Sequence, residues 1–206
     1  RRGGVAPGQH VLIIGASGGV GTFAVQIARA LGAHVTGVCS STNLDLVRSL
    51  GADRVIDYTE PGAWDDRDRY DLVLQAGGTQ SAGELRRRLE PGGTLVQISG
   101  ESANRWIGPL GRVVTGRLLS AFVTQTVATF TVRPNRADLD HLSALLDVGS
   151  VRVVVDRAYP LDEASAAIAH VEAGHARGKV VLRAVVRARP SARAAHRAAP
   201  PRPSAR

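Results

Sequence analysis

The sequence predicts an α/β protein built on a doubly wound parallel sheet. Three observations carry that expectation. Residues 11–14 (Val-Leu-Ile-Ile) form an apolar run suited to a strand buried on both faces. A glycine-rich turn from Gly15 to Gly21 follows at once, and it opens a helical pattern with Val20, Phe23, Ala24, Ile27, Ala28 and Leu31 on one side. Beyond it, short apolar runs alternate with helical patterns, an order that calls for right-handed crossovers between parallel strands.

Each later element has its own local signal. Residues 34–39 read as a second strand, 44–50 as a short helix and 54–57 as a third strand. Residues 60–69 form a charged loop containing Pro and Gly. A fourth strand at 71–75 and a helix at 80–89 follow, then a turn at Pro91-Gly92-Gly93 and a fifth strand at 94–99. A helix is expected at 109–119, with the loop before it lying over the ligand face of the sheet. Residues 127–132 (Val-Ala-Thr-Phe-Thr-Val) alternate and supply the sixth strand. Then come a helix at 136–147, a strand at 151–158, a helix at 161–172 opened by Pro160, and a strand at 179–185. No internal repeat is visible. Residues 1–186 are read as one domain. Residues 187–206, rich in Arg, Ala and Pro without large apolar side chains, are expected to be a disordered tail.

Composition narrows the classes. No uninterrupted apolar stretch reaches 18 residues and no secretory pattern precedes the first strand, so neither a membrane span nor a membrane partner is expected. The one cysteine, Cys39, excludes a disulfide framework and a four-cysteine zinc cluster. A cytoplasmic location fits these features. The net charge of +8 is concentrated in the tail, because residues 1–182 carry 19 basic against 18 acidic groups. No nucleic-acid partner is therefore expected. The 206 residues include no methionine, and the chain is read as an excerpt whose N-terminal part lies upstream.

Strand, tight glycine turn and helix together make a phosphate cradle. Glycines let backbone approach a pyrophosphate, and a helix N-terminus offers N–H groups and the positive end of its dipole. The turn fits two patterns. Read as G-x-G-x-x-G, the positions are Ala16, Gly18 and Gly21; read as G-x-x-x-G-x-G, they are Gly15, Gly19 and Gly21. The second belongs to short-chain dehydrogenases, whose proton transfer needs a Tyr-x-x-x-Lys pair. The single lysine, Lys179, stands four residues after His175 instead, and that reading fails.

Several ordered motifs resemble the medium-chain dehydrogenase/reductases, in particular the zinc-independent quinone oxidoreductase-like branch. They are Pro7 to Gly21, Leu50-Gly51-Ala52-Asp53, Val55-Ile56-Asp57-Tyr58, Pro91-Gly92-Gly93-Thr94-Leu95-Val96, Tyr159-Pro160-Leu161 and Gly178-Lys179-Val180-Val181-Leu182. The match covers roughly residues 5–184. It implies a Rossmann cofactor domain whose partner, a GroES-like catalytic domain, precedes residue 1. The last strands would lie against that domain, and the sixth strand would pair with its mate in a homodimer.

The expected cofactor is NADP, bound as NADPH. Ala16, Ser17, Gly18, Gly19, Val20 and Gly21 are expected around its pyrophosphate. An NAD site places Asp or Glu at the end of the second strand; this one ends Cys39-Ser40-Ser41, and hydroxyls without a carboxylate suit a 2′-phosphate. Related reductases carry a lysine nearby, whose place falls here at Asn43, a departure. Tyr58 matches a tyrosine beside the same phosphate, and Arg48 could add charge. Gly77 and Ser99 follow the fourth and fifth strands, and Phe130 matches a backbone position near the carboxamide.

No residue offers itself as proton donor or nucleophile, so the catalytic residues are unknown and the excerpt alone is expected to be inactive. Cys39 reads as a buried apolar residue. His10, His34, His141, His170 and His175 show no metal spacing, and no metal site is expected. The leading reading is an oxidoreductase that reduces a small-molecule quinone, enone or carbonyl by hydride transfer. The alternative is a non-catalytic nucleotide-sensing or interaction module on the same fold.

Overall fold

The computed structural model describes residues 4–64, 67–98, 125–128, 135–174 and 176–184. Strand β1 (His10–Ile14) alternates its side chains between two cores. Val11 and Ile13 face Val25 and Ala28 of α1 (Gly21–Ala30) and Val47 of α2 (Leu44–Ser49). Leu12 and Ile14 face Leu85 of α3 (Ala82–Arg86). All four are at most 2% exposed, and each such burial is worth about 1.5–3 kcal/mol. That two-sided burial is what the unbroken apolar run signals.

The main sheet has six parallel strands in the order β3 (Arg54–Asp57), β2 (His34–Cys39), β1, β4 (Tyr70–Gln75), β5 (Leu89–Gln97), β6 (Thr126–Ala128). This is the Rossmann order. The chain leaves β1 in one direction and returns beside it with β4, so the ligand crevice lies above the ends of β1 and β4. The Asp53 carboxylate steadies the left half: it accepts from the Val35 N–H (2.8 Å) and from Arg29 Nη1 (3.0 Å).

A smaller unit follows. Helix α4 (Arg136–Asp147) starts at Asn135, whose side chain accepts from the Asp138 N–H. Strand β7 (Val155–Pro160), a 3-10 turn (Leu161–Glu163), helix α5 (Ala164–Glu172) and strand β8 (Lys179–Arg183) complete it, and β7 pairs with β8 as a separate two-stranded parallel sheet. Gln26 of α1 binds the unit to the main sheet. Its buried amide donates to the Arg152 carbonyl (3.0 Å) and accepts the Arg152 N–H (2.8 Å).

The elements differ from the sequence reading in a few places, each for a local reason. The strand expected from residue 151 begins only at Val155, because Gln26 already holds the Arg152 backbone. The helix expected at 80–89 spans only Ala82–Arg86. Its start is fixed by a capping box between Ser81 and Glu84, and Leu89 is drawn into the sheet beside Tyr70. Pro91-Gly92-Gly93 forms a bulge inside β5, since Tyr70 pairs with Leu89 but Leu72 pairs with Thr94. The helix at 161–172 opens as a 3-10 turn. The helix placed at 109–119, most of the strand at 127–132 and the tail lie outside the described residues.

Replacing Gln26 with alanine leaves the Arg152 N–H without its side-chain acceptor. We expect a loss of about 1–3 kcal/mol of stability, read as a lower urea midpoint; an unchanged midpoint would contradict this account of the junction.

Candidate functional site

Strand β1 ends at Ile14, and α1 begins only seven residues later. The Gly15 and Ala16 N–H groups both donate to the Val38 carbonyl (3.1 and 3.0 Å), which ties the turn to β2. The Gly18 N–H donates to the Gly15 carbonyl (3.1 Å), and the Thr22 N–H to the Gly18 carbonyl (3.0 Å). The loop is thereby folded back on itself before the helix starts. A Cβ on Gly21 would collide with the Gly15 carbonyl oxygen and lie 2.7 Å from the Ala16 Cα, so only glycine fits. Ala16 is fully buried and forms the floor; Ser17, Gly18 and Gly19 are partly exposed, and Val20 projects into solvent. No acid sits in the first turn of α1, so nothing neutralises the positive end of its dipole.

Gly77 closes the crevice from β4. A side chain on Gly15 would come within 3.0 Å of the Gly77 nitrogen, which places the two loops back to back where the strand order reverses.

A second unit reaches the loop from the opposite side, and the sequence reading missed it. The Gly178 N–H donates to the Ser17 carbonyl (2.9 Å), and a methyl on Gly19 would lie 3.2 Å from Lys179 Nζ. The Lys179 ammonium also lies 5.7 Å from the centroid of the Phe23 ring. Gly178 adopts φ +83°, and a Cβ there would press on Val154. The chain's sole lysine thus stands beside the glycine loop. The motif that contains it was visible, but its place 160 residues downstream depends on the folding of the C-terminal unit.

At the end of β2, the Ser40 hydroxyl accepts from Asn43 Nδ2 (3.0 Å) and is hydrogen-bonded to the Thr42 hydroxyl (3.2 Å). Asn43, where the resemblance implies a place for a cation, is therefore a buried prop for Ser40. Ser41 is exposed, and Tyr58 donates its N–H to the Cys39 carbonyl (3.1 Å), which brings the half-exposed Tyr58 side chain to the same strand end. Arg48 pairs with Asp45 at 3.0 Å on the surface. The Cys39 thiol is pushed up to about 11, mainly by burial and further by Asp57, with Arg48 opposing. It stays protonated at neutral pH and is no nucleophile. Ser99 and Phe130 lie outside the described residues.

The arrangement suits a dinucleotide. The Lys179 ammonium stands beside the bare glycine backbone that leads into the α1 N-terminus, and a cluster of Ser40, Thr42 and Asn43 side chains stands at the end of the neighbouring strand, with Asp57 across from Cys39 on β3. A metal is a different matter: among the described residues, no three His, Cys, Asp or Glu side chains gather to hold one.

A family model described as "Zinc-binding dehydrogenase" matches residues 50–182. The chain is 37% identical over 201 residues to an NAD(P)H oxidoreductase, RTN4IP1, of Mus musculus mitochondria, covering 86% of this chain and 48% of that protein. It is 33% identical over 180 residues to the chloroplastic quinone-oxidoreductase QR1 of Triphysaria versicolor, covering 85% and 53%. The solved quinone oxidoreductase of Coxiella burnetii superposes with a TM-score of 0.75 at 27% identity, covering 88% of this chain and 54% of that one. The chain spans about half the length of the relatives it matches. With the strand order and the glycine crossover already in place, these likenesses show that the chain belongs to the zinc-binding dehydrogenase family of the medium-chain dehydrogenase/reductases, on its quinone oxidoreductase-like side.

Proposed function

We propose that the chain is the NADPH-binding half of an oxidoreductase that reduces a quinone, enone or carbonyl compound. The observation that carries this reading is that Lys179 Nζ stands beside Gly19 in the loop that opens α1, next to a β2 end whose own residues Ser40–Asn43 include no acid. When bound, the nicotinamide supplies hydride transfer; the chain's own residues bind and orient it. Ser17 to Gly21 over the floor of Ala16 would hold the pyrophosphate through backbone N–H groups, and Lys179 would balance its charge. Ser40 and Ser41 would donate to the 2′-phosphate, with Tyr58 packed beside it and Arg48 adding positive potential. Gly77, Ser99 and Phe130 would flank the ribose and nicotinamide. Among the described residues, no cluster of side chains could hold a zinc ion.

The substrate pocket and any proton donor would come from a GroES-like domain outside this chain. Leu161, Ile168, Val171 and Leu182 of the C-terminal unit are 42–58% exposed and form an apolar surface that such a domain would cover. We also assign a homodimer through β6, the outermost strand of the main sheet among the described residues, since a strand edge left unpaired invites pairing. The lone buried Cys39 suits a reducing compartment such as the cytoplasm, although the two curated relatives named above are organellar.

Thermal unfolding with each cofactor tests the binding reading. At 100 times its dissociation constant, NADPH should add about 2.7 kcal/mol, or roughly 5–10 °C for a domain of this size, with NADH giving much less. A preference for NADH would overturn the specificity, and no shift with either would favour a non-catalytic module.

Ser40→Asp should reverse that preference. A carboxylate there accepts from a ribose 2′-OH but repels a 2′-phosphate. Like charges about 4 Å apart near a surface repel by a few kcal/mol, so NADPH affinity should fall about tenfold or more. Unchanged discrimination would place the phosphate elsewhere.

Alone, the chain should aggregate through its exposed C-terminal apolar surface; joined to a catalytic domain that covers it, the protein should be a discrete dimer by light scattering. A monodisperse monomer of the joined protein would refute the assignment to β6.

A further inference from the structure

Lys179 follows Gly178, whose N–H meets the Ser17 carbonyl, so the lysine reaches the glycine loop only because the turn before β8 is docked there. Its direction is set by the way β8 meets β7, and that junction is irregular. Val155 pairs with Lys179, but Arg157 pairs with Val180, so β7 spends one extra residue where β8 spends none. The extra residue is Asp156. A bulge of this kind bends its strand and re-aims the side chains around it.

The bulge is held by a side-chain pair rather than by the sheet ladder. Asp156 Oδ2 lies 2.6 Å from His170 Nε2, which projects from α5. Both side chains are mostly buried, at 18% and 24% exposure. The Asp156 carboxyl is held below the usual carboxylate range, first by His170 and also by the Arg177 backbone N–H. Arg177 precedes the two residues that touch the loop. The Gly178 N–H donates to the Ser17 carbonyl at 2.9 Å, and the Lys179 N–H donates to the Val154 carbonyl at 2.8 Å. Asp156 therefore sits between a fixed helix, α5, and the turn that carries Gly178 and Lys179 to the loop.

We propose that the Asp156–His170 pair is a positioning element for the cofactor's pyrophosphate: it braces the β7 bulge so that Gly178 and Lys179 are held against the Ser17–Gly19 backbone. The pair touches no cofactor atom itself. This inference rests on the reading of Lys179 as the pyrophosphate cation, and it adds the group that orients that lysine. The nearby Arg157 guanidinium is engaged elsewhere: Nη1 donates to the Tyr159 hydroxyl (3.3 Å) and the group lies over the Tyr159 ring.

Because the pyrophosphate is common to both cofactors, the pair's contribution is blind to the 2′-phosphate. Equilibrium titration of the chain with NADPH and with NADH, read by nicotinamide fluorescence, tests this. Asp156→Ala should weaken both cofactors by the same factor, on the order of tenfold, as expected for loss of a charge-assisted contact. Asp156→Asn keeps an acceptor for the Arg177 N–H and a polar partner for His170 but loses the charge, and it should weaken both cofactors equally and by less than Asp156→Ala does. His170→Ala leaves Asp156 in place but unbraced, and it should weaken both cofactors equally by a smaller factor. In a Lys179→Ala background, Asp156→Ala should add little, because residues acting through one contact are not additive.

A folded Asp156→Ala chain that binds both cofactors like the parent would overturn the proposal. So would a loss confined to NADPH, or full additivity with Lys179→Ala. If Asp156→Ala does not fold, His170→Ala decides by the same equal-loss criterion. If the parent chain binds but Lys179→Ala costs nothing, the assignment of Lys179 fails and takes this positioning role with it. If the parent binds neither cofactor, the dinucleotide reading itself is wrong.

Discussion

The contact between Gly21 and the Gly15 carbonyl sets the rest of the molecule. Because no side chain stands between them, α1 begins pressed against the exit of β1, and its N-terminus points into the crevice beside Gly77. A side chain at position 21 would push the helix outward. The Val38 carbonyl would then lose the two N–H groups of Gly15 and Ala16, and β2 would lose its tie to the loop. One missing Cβ thus links the sheet register, the helix position and the place where an anion can approach.

What could be read from the sequence follows from where the determining forces lie. Residues 34–39, 54–57 and 136–147 match β2, β3 and α4 residue for residue. Their ends are set locally, by a glycine or a cap within a few positions. The misjudged ends are set by distant partners. Arg152 looks like a strand residue, and Val151 is buried as a strand residue would be, but the Gln26 amide takes the backbone groups that a neighbouring strand would need. Leu89 continues a helical pattern, and Tyr70 takes it into the sheet. A periodicity argument cannot see either competitor.

The candidate site divides along the same line. The glycine turn was legible because a phosphate cradle is built from contiguous residues, and Ser40 was legible because strand ends are predictable. Lys179 was not, since its approach, like that of Gly178 beside it, depends on the docking of the distant C-terminal unit. Asn43 is the subtler case. Read alone, it is merely the absence of a cation; in the structure it holds the Ser40 hydroxyl in place. A residue whose work is to orient another residue leaves no mark in a motif.

The glycine loop is therefore shared property. Its floor and helix belong to the main sheet, while Gly178 and Lys179 come from the small β7–β8 sheet, which hangs on α1 through Gln26. Any ligand that draws Lys179 and the α1 N-terminus onto one charge must favour the docked arrangement of the two sheets over any looser one. By the same linkage, whatever steadies β7 and β8 raises the affinity of the loop for an anion. The apolar side chains exposed on α5 and β8 lie on the very unit that supplies this lysine. A domain that covered them would tighten the cradle without touching its ligand. The exposed apolar surface and the lysine beside the glycine loop are parts of one small unit, so a change in the packing of one bears on the position of the other.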